Sequence, residues 1–412
     1  MQSNNGKTVW IINQYASTPE TGYAGRHYYF GEELAKQGYK VYVIAAAATH
    51  LLRKQPEFDG DFSFENHKGF TFVWVKVPPF SEAHSKQRAI NWFLFPWRIQ
   101  KLAQLIPDKP DAVLCSSLSL ISFLGAQRLA RKFLAKLVFE VRDIWPLSLI
   151  EIGGYSRNHP FVRFMQWVEN KAYKDSDRVV SNLKNSVEHM VEHGLDRKKF
   201  TWVPNGFSLD EVNQNTPLDA EVEVLLPKNK FLIGYTGTLG VANAMDTLIE
   251  AAELLKDNSS IAFVLVGGGK EKEALQKLVR DKDLVNVVFI DPISKVQIQA
   301  MLACFDACFI GLTKDPLFRF GVSPNKLFDY LYSGKPVLYA IESGAYTPVS
   351  DAQAGLQIEP ENPQAIADAI LQLYQMPGED LKQMGQNGHK AALEQYEYGM
   401  LAQKLEKVLF DD

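Results

Sequence analysis

Short runs of apolar, often β-branched residues alternate with stretches of helical periodicity along most of the 412-residue chain. The runs predict strands over residues 8–13 (TVWIIN), 40–46, 70–78, 111–116, 136–142, 178–183 and 200–205, with helices between them, for example over 26–37 and 158–174. TVWIIN presents no polar face, as expected of a parallel strand covered on both sides. Residues 209–230 are polar, contain proline and lack periodicity, which predicts a linker. The pattern then restarts with strands over 231–237, 261–268, 285–291, 307–312, 335–341 and 355–360. From residue 374 the chain reads as mostly helical, with Leu401, Leu405 and Leu409 on one face. This alternation predicts an α/β protein of two doubly wound parallel sheets. Such sheets bind ligands beyond the carboxyl ends of their strands, so the strand-to-helix turns are where chemistry is sought.

Composition narrows the class. The length suits two domains of about 100–200 residues each, and 46% apolar with 22% charged residues excludes a disordered or collagen-like chain. Three cysteines, Cys115, Cys304 and Cys308, are too few for a disulfide framework and point to reduced thiols in a cytoplasmic setting. The MQSNNGK start leads into no apolar run, and no run approaches a membrane span, so neither a signal peptide nor a spanning helix is expected. The net charge of −4 hides an imbalance. Residues 1–204 carry 27 Lys+Arg against 19 Asp+Glu (+8), and residues 205–412 carry 17 against 29 (−12). Such asymmetry suggests that one half meets an anionic ligand or surface, either nucleic acid or an anionic membrane face.

Five turns could carry the chemistry. In the first, Gly22 and Gly25 precede a helix starting near Arg26 and His27, where backbone donors and a helix N-terminus suit an anion. It is no dinucleotide fingerprint, and a permissive glycine loop is the bland alternative. The second, EVRDIWP, places Arg142 and Asp143 after an apolar strand; a carboxylate held by a guanidinium stays ionised, suited to a hydroxyl or to developing positive charge, and a pair that only pins the loop is the lesser alternative. The third, Gly237-Thr238-Leu-Gly240, repeats the glycine-at-helix-start pattern without a Walker lysine, and the fourth, the glycine run around Gly267 before Lys270, could approach a flat ring or a phosphate. The fifth runs SPNKLFDYLYSGKP. There Asn325 opens a short helix with Lys326 and Asp329 on one face, suited to a phosphate and to sugar hydroxyls, or to a surface ion pair.

Together the strand–GTLG–helix, LVGGGKEKEAL, VVFIDPISKVQIQAML and SPNKLFDYLYSGKPVL segments resemble the C-terminal nucleotide-sugar-binding domain of GT-B glycosyltransferases of family 4. VRDIWP and GYAGRH look like the N-terminal domain of the WbuB-like subgroup, of O-antigen N-acetyl-fucosamine transferase type. The resemblance implies two Rossmann-like domains facing a cleft: acceptor-binding over 1–205, donor-binding over 206–385, and a C-terminal helix over 386–412 packing back on the first. It implies retaining transfer from a UDP-sugar co-substrate to a lipid-linked saccharide, without cofactor or metal. In that scheme Gly237 and Thr238 face the donor diphosphate, with Gly267 nearby. Lys326 neutralises the diphosphate, Asp329 holds the ribose, and Asp291 and Pro292 border the base. Gly22, Gly25 and Arg26 approach the diphosphate from the other domain, and Arg142 and Asp143 lie near the reacting carbon.

Two departures from the family pattern stand out. Of the two glutamates that many members carry, the second position is Asp329 and the first is Gly321. The Arg and Lys usual after the GTLG-like turn are absent from VANAMD over 241–246, which leaves Lys326, helix N-termini, Arg26 or Arg319 to meet the phosphate. The triplets Asp59–Asp61, Asp175–Asp177 and Asp281–Asp283 read as solvated rather than metal-binding, Cys304 and Cys308 as core, and none of the eight histidines as having metal-ligand spacing. The stretch over 86–101 mixes aromatics with Lys86, Arg88, Arg98 and Lys101, fitting either an anionic membrane interface or a packed hairpin. With a lipid-linked acceptor, the basic half is expected to face the inner side of a membrane, not nucleic acid. A UDP-sugar epimerase or hydrolase and an inactive nucleotide-sugar-binding subunit are the alternative readings.

Overall fold

The computed structural model describes residues 6–80 and 86–411; residues 1–5, within the MQSNNGK start, lie outside them. The chain divides into two compact units, Met1–Asn205 with Tyr398–Asp412, and Gly206–Glu397.

The first unit holds eight strands: β1 (Thr8–Ile12), β2 (Lys40–Ala46), β3 (Phe62–His67), β4 (Phe70–Val75), β5 (Ala112–Ser116), β6 (Lys136–Val141), β7 (Arg178–Ser181) and β8 (Phe200–Trp202). Their order is β3-β4-β2-β1-β5-β6-β7-β8, parallel except for the β3–β4 hairpin. The strand order reverses beside β1, between β2 and β5, which makes that edge a topological switch point. Every residue of β1 is buried, as the unbroken apolar run requires. The helix Tyr398–Phe410 closes one side of this sheet, burying Leu401, Leu405 and Leu409, stacking Tyr398 on Tyr29 at 4.7 Å and Phe410 on Tyr39 at 4.6 Å. Only from Tyr398 does the chain belong to this unit. Residues 386–397, expected to pack there too, stay with the second, because the helix Gly378–Gln395 buries Gly385 and Gly388 against it: a Cβ on Gly385 would lie 1.9 Å from the Gly334 carbonyl.

The second unit has six parallel strands: β9 (Phe231–Thr236), β10 (Ile261–Val266), β11 (Val287–Ile290), β12 (Ala307–Gly311), β13 (Val337–Ala340) and β14 (Gly355–Gln357). Their order, β11-β10-β9-β12-β13-β14, again reverses beside the first strand. Both sheets are therefore doubly wound, as the hydrophobic alternation predicts.

Two readings are corrected. β3 was not anticipated, and residues 209–230 are no free linker. Thr216 N–H donates to the Val296 carbonyl at 2.9 Å, Gln297 to the Pro217 carbonyl, and Ala300 N–H to Asn215 Oδ1, which docks the segment on the second unit. With its backbone so engaged, the stretch needs no hydrophobic periodicity to be fixed.

Candidate functional site

In the second unit the site forms where β9 ends. Gly237 has φ of 144° and its N–H donates to the Val266 carbonyl; Leu239 N–H donates to the Gly268 carbonyl, and Gly267 N–H to the Ile290 carbonyl. The two glycine turns thus lock onto each other. A Cβ on Gly267 would lie 1.9 Å from the Gly237 carbonyl oxygen, so the close approach of the two backbones by itself requires a glycine at this position. Gly237 and Thr238 are exposed, and the Thr238 N–H has no acceptor among the described residues.

Lys326 reaches this turn from the helix Asn325–Tyr332. Its Nζ donates to Tyr235 OH at 2.7 Å and Asn243 Oδ1 at 2.9 Å, while Tyr235 OH and Asn243 Nδ2 both donate to the Thr238 carbonyl. No carboxylate pairs with Lys326 among the described residues, and burial pushes its pKa down to about 7. One turn along the same helix, burial pushes the Asp329 carboxyl up to about 6, with Lys295 lowering it and Glu211 raising it. Lys326 and Asp329 therefore do not pair with each other. Desolvation holds each toward its neutral form, in the way expected of groups waiting for a partner. Asn325 is exposed at the helix start; Asp291 is exposed and ion-paired to Lys272 at 2.6 Å, with Pro292 packed toward Gly268. Gly321, in the position where many family members carry a glutamate, has φ of 94°, a backbone state that disfavours any side chain.

In the first unit a buried network ties the β1 and β6 turns. His27 Nε2 lies 2.5 Å from Glu140 Oε2, and Arg26 Nε lies 3.0 Å from Glu140 Oε1 in an ion pair too bent to count as a hydrogen bond. Asn13 Nδ2 is 2.8 Å from His27 Nδ1, which makes Nδ1 the acceptor and leaves the ring proton on Nε2, directed at Glu140. Burial lowers the His27 pKa despite Glu140; burial would raise Glu140, but Arg26 and His27 hold it well below the usual carboxylate range.

Two family profiles match consecutive stretches: "Glycosyltransferase Family 4" over residues 25–211 and "Glycosyl transferases group 1" over residues 219–391. The chain is a GT-B glycosyltransferase. It is 25% identical over 366 residues to the Escherichia coli (strain K12) protein named "Putative colanic acid biosynthesis glycosyl transferase WcaI", covering 84% of this chain and 87% of that one. In fold it is similar to WaaG, a glycosyltransferase involved in lipopolysaccharide biosynthesis (TM-score 0.66, 16% identity, 98% and 100% covered). It is also similar to HepE of Anabaena in complex with UDP-glucose (0.65, 15%, 98% and 99%).

Within this glycosyltransferase the remaining expected site residues separate. Arg26 is turned inward: its Nη1 donates to Asn205 Oδ1 and its Nη2 to the Val203 carbonyl, so the guanidinium is committed before any phosphate arrives. That corrects its expected place among donor-phosphate contacts. Gly22 is buried, its turn closed by the Thr18 carbonyl, whereas Gly25 caps the helix Arg26–Lys36 with nothing nearer than Tyr23 O at 4.0 Å to a built Cβ. Asp143 is open to solvent, although desolvation raises its pKa and Arg142 opposes that. Arg142 N–H donates to Ser117 Oγ, and its buried Nε has no partner among the described residues.

Sequence reasoning left three further residues out of the site. Gln14, Ser116 and Asn182 each bury a side-chain polar atom without a partner among the described residues, as Arg142 does. They follow or end β1, β5 and β7, and Arg142 follows β6, so all four line the carboxyl edge of one sheet. Their common signal, a polar residue at the end of an apolar run, was visible but shared with many ordinary turns. Unpaired buried polar atoms are costly unless a ligand or water completes them.

Proposed function

We propose that this glycosyltransferase is a retaining enzyme of the WbuB-like subgroup. It moves a sugar of N-acetylhexosamine or N-acetyl-fucosamine type from a UDP donor to a lipid-linked saccharide in O-antigen or capsule assembly. The observation that carries the reading is Lys326: a desolvated lysine without a carboxylate, fixed by two neutral side chains beside the exposed Thr238 turn at a switch point. A diphosphate is the dianionic group such a site completes. HepE bound to UDP-glucose, and the biosynthetic roles in the names of WcaI and WaaG, support the same direction.

In this reading Gly237, Thr238 and Lys326 take the diphosphate, Asp329 accepts from the ribose, and the backbone around Asp291 and Pro292 borders the base. Gly25 approaches the diphosphate. Acceptor hydroxyls bond the unpaired groups of Gln14, Ser116 and Asn182, while Arg142 and Asp143 serve the reacting carbon. The glycosidic C–O bond to the diphosphate breaks, the acceptor oxygen bonds the same carbon on the same face, and its proton passes to the departing diphosphate. No protein nucleophile, metal or cofactor enters the scheme.

A lipid-linked acceptor also calls for a bilayer surface. Among the described residues no helix is long and apolar enough to cross a membrane. The helices Lys86–Arg98 and Pro160–Asp175 instead stack Phe93 on Phe164 and Phe164 on Trp167, leaving Phe93, Trp97 and Trp167 51%, 65% and 53% exposed, with Arg163 exposed beside them. Exposed aromatics among cations suit an anionic headgroup layer. Salt-sensitive binding to anionic but not neutral vesicles is expected, and equal retention on both refutes this part.

The deciding experiment is incubation with a panel of nucleotide sugars and lipid-pyrophosphate saccharides, read by mass spectrometry. Conversion of the nucleotide sugar without acceptor would favour an epimerase or hydrolase. Donor binding without turnover on any acceptor would favour a binding subunit.

A further inference from the structure

Away from the carboxyl edges, the first unit gathers a second set of chemistry-bearing side chains. His189 lies on the helix Val187–Glu192 and His193 caps its C-terminus, with ring centroids 4.4 Å apart. This four-residue spacing puts two imidazoles on one helical face, and the reading that no histidine has metal-ligand spacing is corrected by it. Facing them, the helix Pro160–Asp175 contributes the buried Glu169. One ligand atom from each of the three lies within 4.8 Å of the other two. His189 Nε2 is 3.2 Å from Glu169 Oε1. Two metal–ligand bonds of about 2.0–2.1 Å at a tetrahedral angle separate their ligand atoms by about 3.3 Å.

A second observation concerns Gln166. Its Nε2 stands 2.6 Å from Glu169 Oε2, 2.8 Å from Asn170 Oδ1 and 3.1 Å from His193 Nδ1. An amide nitrogen carries two protons, so three acceptors converge on a donor that can serve only two. A cation placed among Glu169, His189 and His193 satisfies these converging lone pairs and frees the Gln166 amide to serve the remaining two acceptors. Tyr173 OH meanwhile donates to Glu169 Oε1 at 2.9 Å, orienting the carboxylate as outer partners of metal ligands do.

We propose that Glu169, His189 and His193 bind one divalent transition-metal ion of the zinc type. Two imidazoles and a carboxylate match the preferences of zinc, cobalt and nickel over magnesium or calcium. The ion clamps the helix Pro160–Asp175 to the segment ending at His193, which adds stability and takes no part in sugar transfer. The site is independent of the transfer reaction proposed above.

The test uses the untagged full chain, stripped with chelator and titrated with Co²⁺ and then Zn²⁺. Expected are one equivalent bound, a visible cobalt absorption that zinc displaces, and a higher unfolding temperature. His193→Ala and Glu169→Gln should each weaken binding at least tenfold, whereas Gln166→Ala, with the three ligands intact, keeps it. His189→Asn replaces Glu169→Gln if the latter fails to fold. No cobalt band and no thermal shift in the wild-type chain, or equal binding by the wild-type chain and His193→Ala, overturns the proposal.

Discussion

Lys326 Nζ donates to Tyr235 OH at 2.7 Å, and Tyr235 OH in turn donates to the Thr238 carbonyl at 2.6 Å. The lysine is thus tied to the turn that it is proposed to serve, through a neutral chain that leaves its charge unanswered. Burial lowers its pKa to about 7 in the free protein. A bound diphosphate favours the charged form and raises it. UDP binding should then take up a proton, and affinity should fall as pH rises above 7, by up to about tenfold per pH unit. Calorimetry between pH 6.5 and 9, in buffers of different ionisation heat, measures both. Lys326→Met should lower affinity about 10–100-fold and abolish the pH dependence. A flat profile in the wild-type protein would remove Lys326 from the phosphate.

The His27–Glu140–Arg26 network makes the first unit acid-sensitive. His27 has a lowered folded pKa, so its contribution is intact above its unfolded value of 6.5 and declines as pH falls below it. Glu140 is also lowered, and its contribution declines as pH falls below 4.5. Both act in one direction. The unfolding temperature should fall as pH drops below 6.5 and further below 4.5, and His27→Gln should flatten the first of these declines. Glu140→Gln leaves the buried Arg26 cation unpaired and should cost about 3–5 kcal/mol, seen as a lower denaturation midpoint. Unchanged stability in Glu140→Gln would mean that the ion pair is relaxed by water.

Gly22 and Gly25 look alike in sequence but should part in experiment. A Cβ on Gly22 meets Ser17 Oγ at 2.9 Å and Ser17 Cβ at 3.0 Å. Gly22→Ala should therefore destabilise by about 1–3 kcal/mol. Gly25 has φ of −105° and open space, so Gly25→Ala should change stability by less than about 0.5 kcal/mol. If the ligand comes close there, Gly25→Ala nevertheless lowers transfer. Normal transfer by Gly25→Ala would remove it from the site.

What could be read from the chain was what local pattern encodes. The buried parallel strands announce themselves as unbroken apolar runs, and glycine turns follow them. β3 escaped because FSFENH is a half-exposed edge strand, and its hairpin closes on Lys68 and Gly69, both at positive φ, in place of the familiar Asn-Gly. Glu140 was noted in its turn but not given a site role: nothing local says that a carboxylate inside KLVFEV meets His27, 113 residues earlier. Arg26 was misread for the same reason. A cation at a helix start looks available until Asn205 and Val203, 179 and 177 residues away, are found holding it.

Gly267 gives the sharpest separation between shaping the site and touching the ligand. Its φ of 150° and a built Cβ only 1.9 Å from the Gly237 carbonyl oxygen leave no room for a methyl group. The obstacle is backbone, which cannot swing aside as a side chain would. Gly267→Ala must push the LVGGG turn away from the GTLG turn, breaking the register in which Gly237 N–H meets the Val266 carbonyl and Leu239 N–H meets the Gly268 carbonyl. The cost should reach about 3 kcal/mol, and UDP affinity should fall because Thr238 and Tyr235 move with the turn. Unlike Lys326→Met, this loss should leave the remaining binding as pH-dependent as in the wild-type protein, because the lysine is still present. Parallel urea denaturation and calorimetry on the two variants separate the cases. Wild-type stability in Gly267→Ala would show that the two turns are not locked together as described.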